Sequence, residues 1–262
     1  MEEARKSGAG DPPIARSDAA DPAALDPETS AELALAGFFA ELLLFELDEP
    51  RRAALLEPEI AAALLDLEVD AAPLASVPLD ELAAAYLQAF VQPERGGPPV
   101  QSLWTEGSFE GDAAVALRQL AEASGADFDR DAARGAPVDH LGCILSLWVE
   151  LVPVWPEAAR RIEEQHLAWA LRPLGAVAAG SPDTRAASGG SEAESAQASS
   201  AAGVQDDPFT IARRFYGQVA RALGRFLQGF VARTAALHED EARSSEACGL
   251  GSERVGLSAE RW

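Results

Sequence analysis

The stretch PFTIARRFYGQVARALGRFLQGF, residues 208–230, decides the fold class. Its apolar side chains recur every three or four positions, so they lie along one face of a helix about six turns long. The preceding pair Asp207 and Pro208 marks the helix start, because proline is favoured in the first turn, where its missing amide is not needed. The stripe consists of Phe209, Ile211, Phe215, Tyr216, Val219, Leu223, Phe226, Leu227 and Phe230.

The composition of the whole chain also favours helices. Of the 262 residues, 48% are hydrophobic, and Ala and Leu prevail over β-branched and aromatic residues, which strands prefer. A chain of this length buries roughly three quarters of its unfolded surface, so the size of the core is not limiting. We therefore predict an all-α protein, and its length allows one large domain or two small ones.

Apolar periodicity and turn residues predict six further helices. Thr29 and Glu32 have the spacing of a capping box, which places the first helix start near Thr29. The fifth of these helices should begin at Pro137, and the sixth should bend near Pro173, because proline removes a donor and clashes with the preceding turn. The predicted ranges are 29–49, 51–67, 79–91, 112–124 with Gly125 as cap, 137–152 and 156–179.

The remaining segments divide the chain. Residues 1–28 are rich in Ala, Pro, Asp and Gly, and residues 181–207 form a low-complexity stretch of Ser, Ala, Gly and acids. Such compositions cannot offset the entropy of ordering, so we expect a disordered tail and a mobile insert. The predicted organisation is tail 1–28, main helical part 29–180, insert 181–207, closing helix 208–240 and polar tail 241–262.

A connection of some twenty residues, QPERGGPPVQSLWTEGSFEG, separates the helices at 79–91 and 112–124. Loops of this length are uncommon within compact domains unless they have a function. This one carries Trp104 and Phe109, which usually pack against other side chains. It is either a pinned connector or a binding loop.

The charge of the chain restricts its partners. The formal net charge is −22 and Lys6 is the single lysine, which argues against nucleic acid as a partner, because phosphate binding needs concentrated cations. A cationic partner fits the charge, and so does a negative surface that simply keeps the protein soluble. Cys143 and Cys248 are too far apart to suggest a disulfide framework, and we find no signal peptide or run of 18 apolar residues, so we expect a cytoplasmic protein.

Common catalytic motifs are absent from the sequence. It contains no G-x-S-x-G elbow, no phosphate loop, no dinucleotide-binding glycine motif and no H-E-x-x-H. His140 and Cys143 share a helix face, but a zinc site needs three or four ligands and His166 or distant acids would have to supply the others. We expect no enzyme activity, no metal and no cofactor.

The pair Asp139 and His140 in APVDHLGCILSLW, residues 136–148, is the feature of the chain that most invites a functional interpretation. Both residues should lie in the first turn of the helix at Pro137, where exposed amides favour a carboxylate. In one interpretation Asp139 caps its helix and His140 packs with one hydrogen bond. In the other, the pair belongs to a binding site.

Motifs at five places resemble, in order, those of the TorD/DmsD family of redox-enzyme maturation chaperones, also called twin-arginine proofreading chaperones. PVDHL resembles the E-P-x-D-H motif of that family, although its usual glutamate is Ala136 here. The similarity spans about residues 33–231 without the insert. The other matches are Tyr86, Leu87 and Phe90 with a Y-x-x-L-F-type helix, Pro99, Ser102 and Trp104 in PPVQSLW with a P-x-x-S loop, His166, Leu167 and Trp169 with an H-L-x-x-W-type segment, and Phe215 and Tyr216 with the closing helix.

The resemblance implies a single globular helical domain of the TorD/DmsD type. It also implies that the protein is a cytoplasmic chaperone that converts no substrate. Such a chaperone binds a molybdopterin oxidoreductase, often through its twin-arginine signal peptide, and holds it until the cofactor is inserted. The implied client-binding residues are Asp139, His140, Trp104, Ser102, Pro99, Leu141, Tyr86 and Trp169, with Asp139 and His140 foremost. Tyr86 and Trp169 could instead belong to the core, and Ser102 could cap a turn.

The residues themselves agree with this implication. A peptide with a cationic start and an apolar middle needs carboxylates beside an apolar groove, and Asp139 near Leu141, Trp148 and Trp104 could supply both. Three alternatives stay open: a NarJ-like chaperone for a non-exported molybdoenzyme subunit, a helical scaffold, and a hydrolase that uses His140 and Asp139. The oligomeric state is predicted as a monomer or a dimer that exchanges helices.

Overall fold

A computed structural model describes residues 25–91, 98–126, 133, 135–180 and 206–252. The predicted tail up to residue 24, the insert at 181–205 and residues 253–262 lie outside the described residues. Within the described ranges the chain is helical, and an isolated antiparallel bridge joins Val100 to His140. The all-α prediction is confirmed.

The described helices follow the chain in a simple order. Short 3-10 segments at Ala72–Ser76 and Ala168–Ala170 separate some of them, and a π-helical turn, Leu87–Val91, extends the fourth. The α-helices are α1 (Pro27–Leu44), α2 (Glu49–Leu55), α3 (Pro58–Asp66), α4 (Leu79–Tyr86), α5 (Gln101–Thr105), α6 (Asp112–Ser124), α7 (Leu141–Leu151), α8 (Pro156–His166), α9 (Leu171–Gly180) and α10 (Pro208–Ser252).

The core lies between two packed sets of helices. α1 packs along α7, while α10 packs against α4 and α9, so the stripe that decides the fold class is covered on both sides. Two aromatic clusters fill the interior: Tyr86, Phe90 and Tyr216 meet edge to face, with ring centroids 5.7–5.9 Å apart. In the second, the Phe230 ring lies 5.0 Å from both Trp148 and Phe226.

Several predicted helix starts are wrong, and each error has a local cause. α1 begins at Pro27 and is capped by Asp26, whose carboxylate accepts hydrogen bonds from both the amide and the hydroxyl of Thr29. The capping box predicted at Thr29 therefore lies one turn too late. The helix predicted for 51–67 is two helices, because Pro58 starts a new one.

The helix predicted from Pro137 also begins later. Residues 137–140 form a turn in which the His140 amide donates to the Pro137 carbonyl at 2.9 Å, and α7 starts at Leu141. The helix predicted for 156–179 breaks between His166 and Leu171, not at Pro173. Proline is tolerated there because it occupies the first turn of α9, where its missing amide costs no hydrogen bond. α10 continues past the predicted end at residue 240 to Ser252.

A glycine sets the distance between α1 and α7. A β-carbon at Gly142 would lie 2.6 Å from the Leu44 Cγ and 3.1 Å from the Ala40 carbonyl oxygen of α1. An added β-carbon would therefore force the Leu44 side chain and the nearby backbone of α1 to shift. Gly142 therefore permits the close approach that brings the start of α7 to the end of α1.

We expect Gly142→Ala to destabilise the protein by about 1–3 kcal/mol, because overpacking at this contact outweighs the better helix propensity of alanine. The control is Gly224→Ala in α10, where an added β-carbon meets nothing within 4 Å. That variant should be neutral or up to about 1 kcal/mol more stable. Urea unfolding measures both, and equal stabilisation by the two substitutions would contradict the close packing.

Candidate functional site

Two segments that are distant in sequence cross each other in an antiparallel contact. The Gln101 amide donates to the Asp139 carbonyl at 2.9 Å, and the Leu141 amide donates to the Pro99 carbonyl at 2.8 Å. These bonds flank the bridge between Val100 and His140. The P-x-x-S and D-H motifs of the sequence thus form one unit, and the long connection is pinned to the start of α7.

A buried carboxylate fastens this crossing. One oxygen of Asp139, Oδ2, accepts hydrogen bonds from the Ser102 amide at 2.8 Å and from the Ser102 hydroxyl at 2.5 Å. Both side chains are 0% exposed. The second carboxylate oxygen, Oδ1, is buried and has no hydrogen-bond partner among the described residues. Asp139 therefore acts on the backbone of the connection, from inside the protein.

This burial bears on the expected role of Asp139 as a residue that contacts a client. A carboxylate with no exposed surface cannot form an ion pair with a partner's arginine in this conformation, because the arginine cannot reach it. The donors that the Asp139 carboxylate does bond come from Ser102, inside the protein. Ser102, Pro99 and Leu141 are buried as well. These four predicted site residues hold the connection in place and offer no surface to a partner.

His140 occupies a different position from its neighbour. It is the N-cap of α7, and its Nδ1 accepts a hydrogen bond from the Gly142 amide at 3.2 Å. Because Nδ1 is an acceptor, the ring proton of the neutral imidazole lies on Nε2. Burial lowers the pKa of His140 to about 4, against the opposing effect of Asp139. At neutral pH the side chain is an uncharged hydrogen-bond donor.

The two residues do not form the relay that a hydrolase would need. The carboxylate of Asp139 is held by Ser102, while His140 Nδ1 is engaged by Gly142. The Ser102 hydroxyl donates to a carboxylate and not to an imidazole, so the serine–histidine pair of a hydrolase is not formed here. The geometry of this part of the chain is that of a structural fastening.

A second buried polar contact joins the connection to α8. The Gln101 amide group donates from Nε2 to the Gln165 carbonyl at 3.1 Å, and its Oε1 accepts from His166 Nδ1 at 2.8 Å. Burial lowers the pKa of His166, with Asp139 acting in the opposite direction. Gln101 was not predicted from the sequence, because nothing in PPVQSLW marks the glutamine as buried.

The two predicted tryptophans are half-buried and bonded to backbone carbonyls. Trp104 Nε1 donates to the Pro98 carbonyl at 2.9 Å, and Trp169 Nε1 donates to the His166 carbonyl at 2.8 Å. The guanidinium carbon of Arg172 lies 5.8 Å from the centre of the Trp104 ring. Their indole donors are therefore satisfied internally, and their exposed surface is apolar.

The pinned connection forms one wall of a cavity of about 420 Å³. The other walls come from the end of α1, from α4 with its π-helical turn, and from the turn before α7. Part of the rim is exposed and apolar, since Leu87 is 40%, Val91 45% and Phe109 56% exposed. The lining consists of Leu43, Leu44, Glu46, Tyr86, Leu87, Phe90, Val91, Pro98, Val100, Phe109, Ala133, Gly135, Ala136, Pro137 and His140.

Only part of the predicted site lines this cavity. Tyr86 and His140 do, and the hydroxyl of Tyr86 also donates to the Leu43 carbonyl at 2.7 Å, so its role is partly structural. Trp104 and Trp169 are not among the lining residues. Glu46 was not predicted from the sequence, because it belongs to no motif and reaches the cavity only through the position of the end of α1 beside α4.

Two further properties concern the described part of the chain. No group of three or more His, Cys, Asp or Glu residues there is arranged to hold a metal ion. Among the same residues, no helix combines the length and the hydrophobicity needed to cross a bilayer.

Comparison with known proteins gives one match. The family model described as nitrate reductase delta subunit matches residues 47–172, slightly less than half of the chain. The family comprises assembly chaperones of molybdoenzymes, so the match supports the chaperone class without selecting the TorD/DmsD member of it. Searches of the curated proteins and of the solved structures found no significant match.

The contribution of the Ser102–Asp139 hydrogen bonds to the free energy of unfolding should be measurable. We expect Ser102→Ala to cost about 1–3 kcal/mol, because it removes one of two hydrogen bonds to a buried carboxylate. Ser146→Ala is the control, since that hydroxyl only bonds back to the Gly142 carbonyl of its own helix. Urea unfolding gives the stability, and amide exchange at residues 98–105 should accelerate in Ser102→Ala alone. Unchanged exchange in both variants would contradict a fastening role.

The histidines should make stability depend on pH. The folded-state pKa of His140 is about 4, below its ordinary 6.5, so the unfolded chain binds the proton first as the pH falls. The stabilisation is therefore complete above pH 6.5 and is lost progressively towards pH 4, at up to about 1.4 kcal/mol per pH unit. His166 acts with the same sign. Burial raises the pKa of Glu163, so this residue changes the stability with pH in the opposite direction.

His140→Asn isolates this contribution, because asparagine retains a capping oxygen but does not titrate. Unfolding measured between pH 7 and pH 4.5 should show a shallower loss of stability in the variant than in the wild type. Parallel curves would mean that His140 is protonated equally in the folded and unfolded states.

Proposed function

We propose that this protein is an assembly chaperone that holds the apo-subunit of a molybdoenzyme until its cofactor is inserted. One observation carries the proposal: two of the segments that wall the cavity lie within the range that the family model matches. The range matched by the nitrate reductase delta family contains both the pinned connection and the start of α7. These two segments wall an apolar cavity whose rim is open to a partner.

The cavity has the size and surface that such a role needs. Its volume of about 420 Å³ lies within the range of ordinary ligand pockets and accommodates large apolar side chains. Burial of the exposed Leu87, Val91 and Phe109 by a partner would supply the free energy of binding, because apolar surface removed from water is stabilising. In the proposed role, the protein therefore binds a polypeptide and converts no substrate.

The predicted site residues take two roles in this proposal. Tyr86 and His140 contact the client directly, and the Nε2–H group of His140 offers a donor to a client carbonyl. Trp104 and Trp169 extend the contact with their exposed ring surface. Asp139, Ser102, Pro99 and Leu141 act as positioning residues, because they fix the wall that the client meets.

The kind of client segment distinguishes two versions of the proposal. The match to the nitrate reductase delta family favours the NarJ-like version, in which the client is a subunit that is not exported. In the TorD/DmsD version, the client presents a twin-arginine signal peptide. Both versions place the chaperone in the cytoplasm.

The test uses the purified catalytic subunit of a molybdopterin oxidoreductase from the same organism, prepared without and with its cofactor. We expect binding to the apo form and at least tenfold weaker binding to the loaded form, measured by calorimetry. Leu87→Ser and Phe109→Ser should each weaken binding several-fold, because each removes apolar surface from the rim. Equal binding of both subunit forms would contradict the chaperone role.

A matched control and a peptide complete this experiment. Val154→Ser is the control, since Val154 is 73% exposed and does not line the cavity. It should leave affinity unchanged, and a loss equal to that of Phe109→Ser would place the client elsewhere. A twin-arginine signal peptide and its Arg→Gln version separate the two kinds of client, because only the TorD/DmsD version predicts binding that depends on the arginines.

A further inference from the structure

A carboxylate lies among the apolar residues of the cavity. Glu46 follows the end of α1 and lines the cavity together with Leu43, Leu44 and Phe90. Its side chain is half-buried. A charge in such a place loses part of its hydration, and this cost is offset only when an opposite charge or hydrogen-bond donors approach it.

The carboxylates around Glu46 already have cationic partners. Arg51 pairs with Glu41 at 3.1 Å and with Asp48 at 2.6 Å, and Arg52 pairs with Glu49. The Arg51 guanidinium also lies over the ring of Phe45. Arg51 and Arg52 are therefore both engaged, and neither is among the described residues that line the cavity.

Glu46 itself has no hydrogen bond or ion pair among the described residues. The other polar side chains that line the cavity, within the described ranges, are those of Tyr86 and His140. Tyr86 donates its hydroxyl proton to the Leu43 carbonyl, and His140 is an uncharged imidazole at neutral pH. Among the residues that the structure describes, the cavity wall thus combines apolar surface with the carboxylate of Glu46, which has no partner there.

We propose that Glu46 determines the charge specificity of the cavity, which accepts a partner segment carrying a basic group next to a large apolar side chain. The proposal rests on the proposed function insofar as the cavity is the client site. The basic group pairs with Glu46, while the apolar side chain packs against Leu43, Leu44 and Phe90. A segment with an acidic group at the same place is rejected, because two like charges would meet beside apolar walls.

This proposal moves the acid that recognises a cation from Asp139 to Glu46. Asp139 is fully buried and bonded to Ser102, whereas Glu46 is half-buried and faces the cavity. Recognition of a cation requires a carboxylate that the cation can reach. Of the two, Glu46 meets that requirement.

Three small molecules with one carbon skeleton test the proposal directly: 4-phenylbutylamine, 4-phenylbutan-1-ol and 4-phenylbutanoate. They place a cation, a neutral hydroxyl and an anion at the same distance from an apolar ring. Titrations followed by amide shifts in NMR spectra give the three affinities. We expect the amine to bind roughly three- to tenfold more tightly than the alcohol, and the acid to bind most weakly. Added salt should reduce the preference for the amine.

Variants assign this preference to one residue. Glu46→Gln should abolish the preference for the amine and leave the affinity for the alcohol within about twofold, because only the charge is lost. Glu46→Lys should reverse the order and favour 4-phenylbutanoate. Glu122→Gln is the control for net charge, since Glu122 is exposed on α6 and does not line the cavity. It should keep the wild-type order.

The outcomes separate this inference from the proposed function. If the amine and the alcohol bind equally, or if Glu46→Gln keeps the preference, then the charge specificity is overturned while the apolar cavity remains a binding site. If none of the three molecules shifts the amides of cavity residues, the cavity is not a site for apolar groups, and both proposals fail there.

Discussion

The structure depends on a buried carboxylate that must find hydrogen-bond donors inside the protein. Asp139 has no exposed surface, and an unpaired buried carboxylate would cost several kcal/mol. Ser102 supplies an amide and a hydroxyl to one of its oxygens. This requirement draws the connection after α4 onto the start of α7, and the backbone bonds of Gln101 and Leu141 follow from the same alignment.

The cavity is a consequence of this fastening. A connection of about twenty residues without the fastening would be free to collapse onto the apolar ends of α1 and α4. Because Asp139 holds the connection, a cavity remains between it and the side chains of Leu43, Leu44 and Phe90. The close approach of α1 and α7 at Gly142 fixes the opposite wall. A space built in this way suits a binding role, because its walls are set before a partner arrives.

The polar residues around the cavity have different structural roles. Asp139 and Ser102 hold the wall, Gln101 ties it to α8 through His166, and His140 caps α7 while facing the cavity. Among the described residues that line the cavity, Glu46 is the acid, and it has no ion pair there. Motif residues therefore fix the shape of the cavity, and we propose that Glu46, which lies outside every motif, supplies its charge.

The resemblance to a known family, and not any spacing of residues, put the D-H and P-x-x-S motifs into one region of interest. The sequence by itself determined the helical class, the apolar stripe of α10 and the Gly125 cap. Such features depend on periodicity and local backbone chemistry, which neighbouring residues specify. Only the tertiary structure decided that Asp139 is internal and that Glu46 faces a cavity. Burial and charge pairing depend on which distant segments meet, and no spacing of residues along one chain records that.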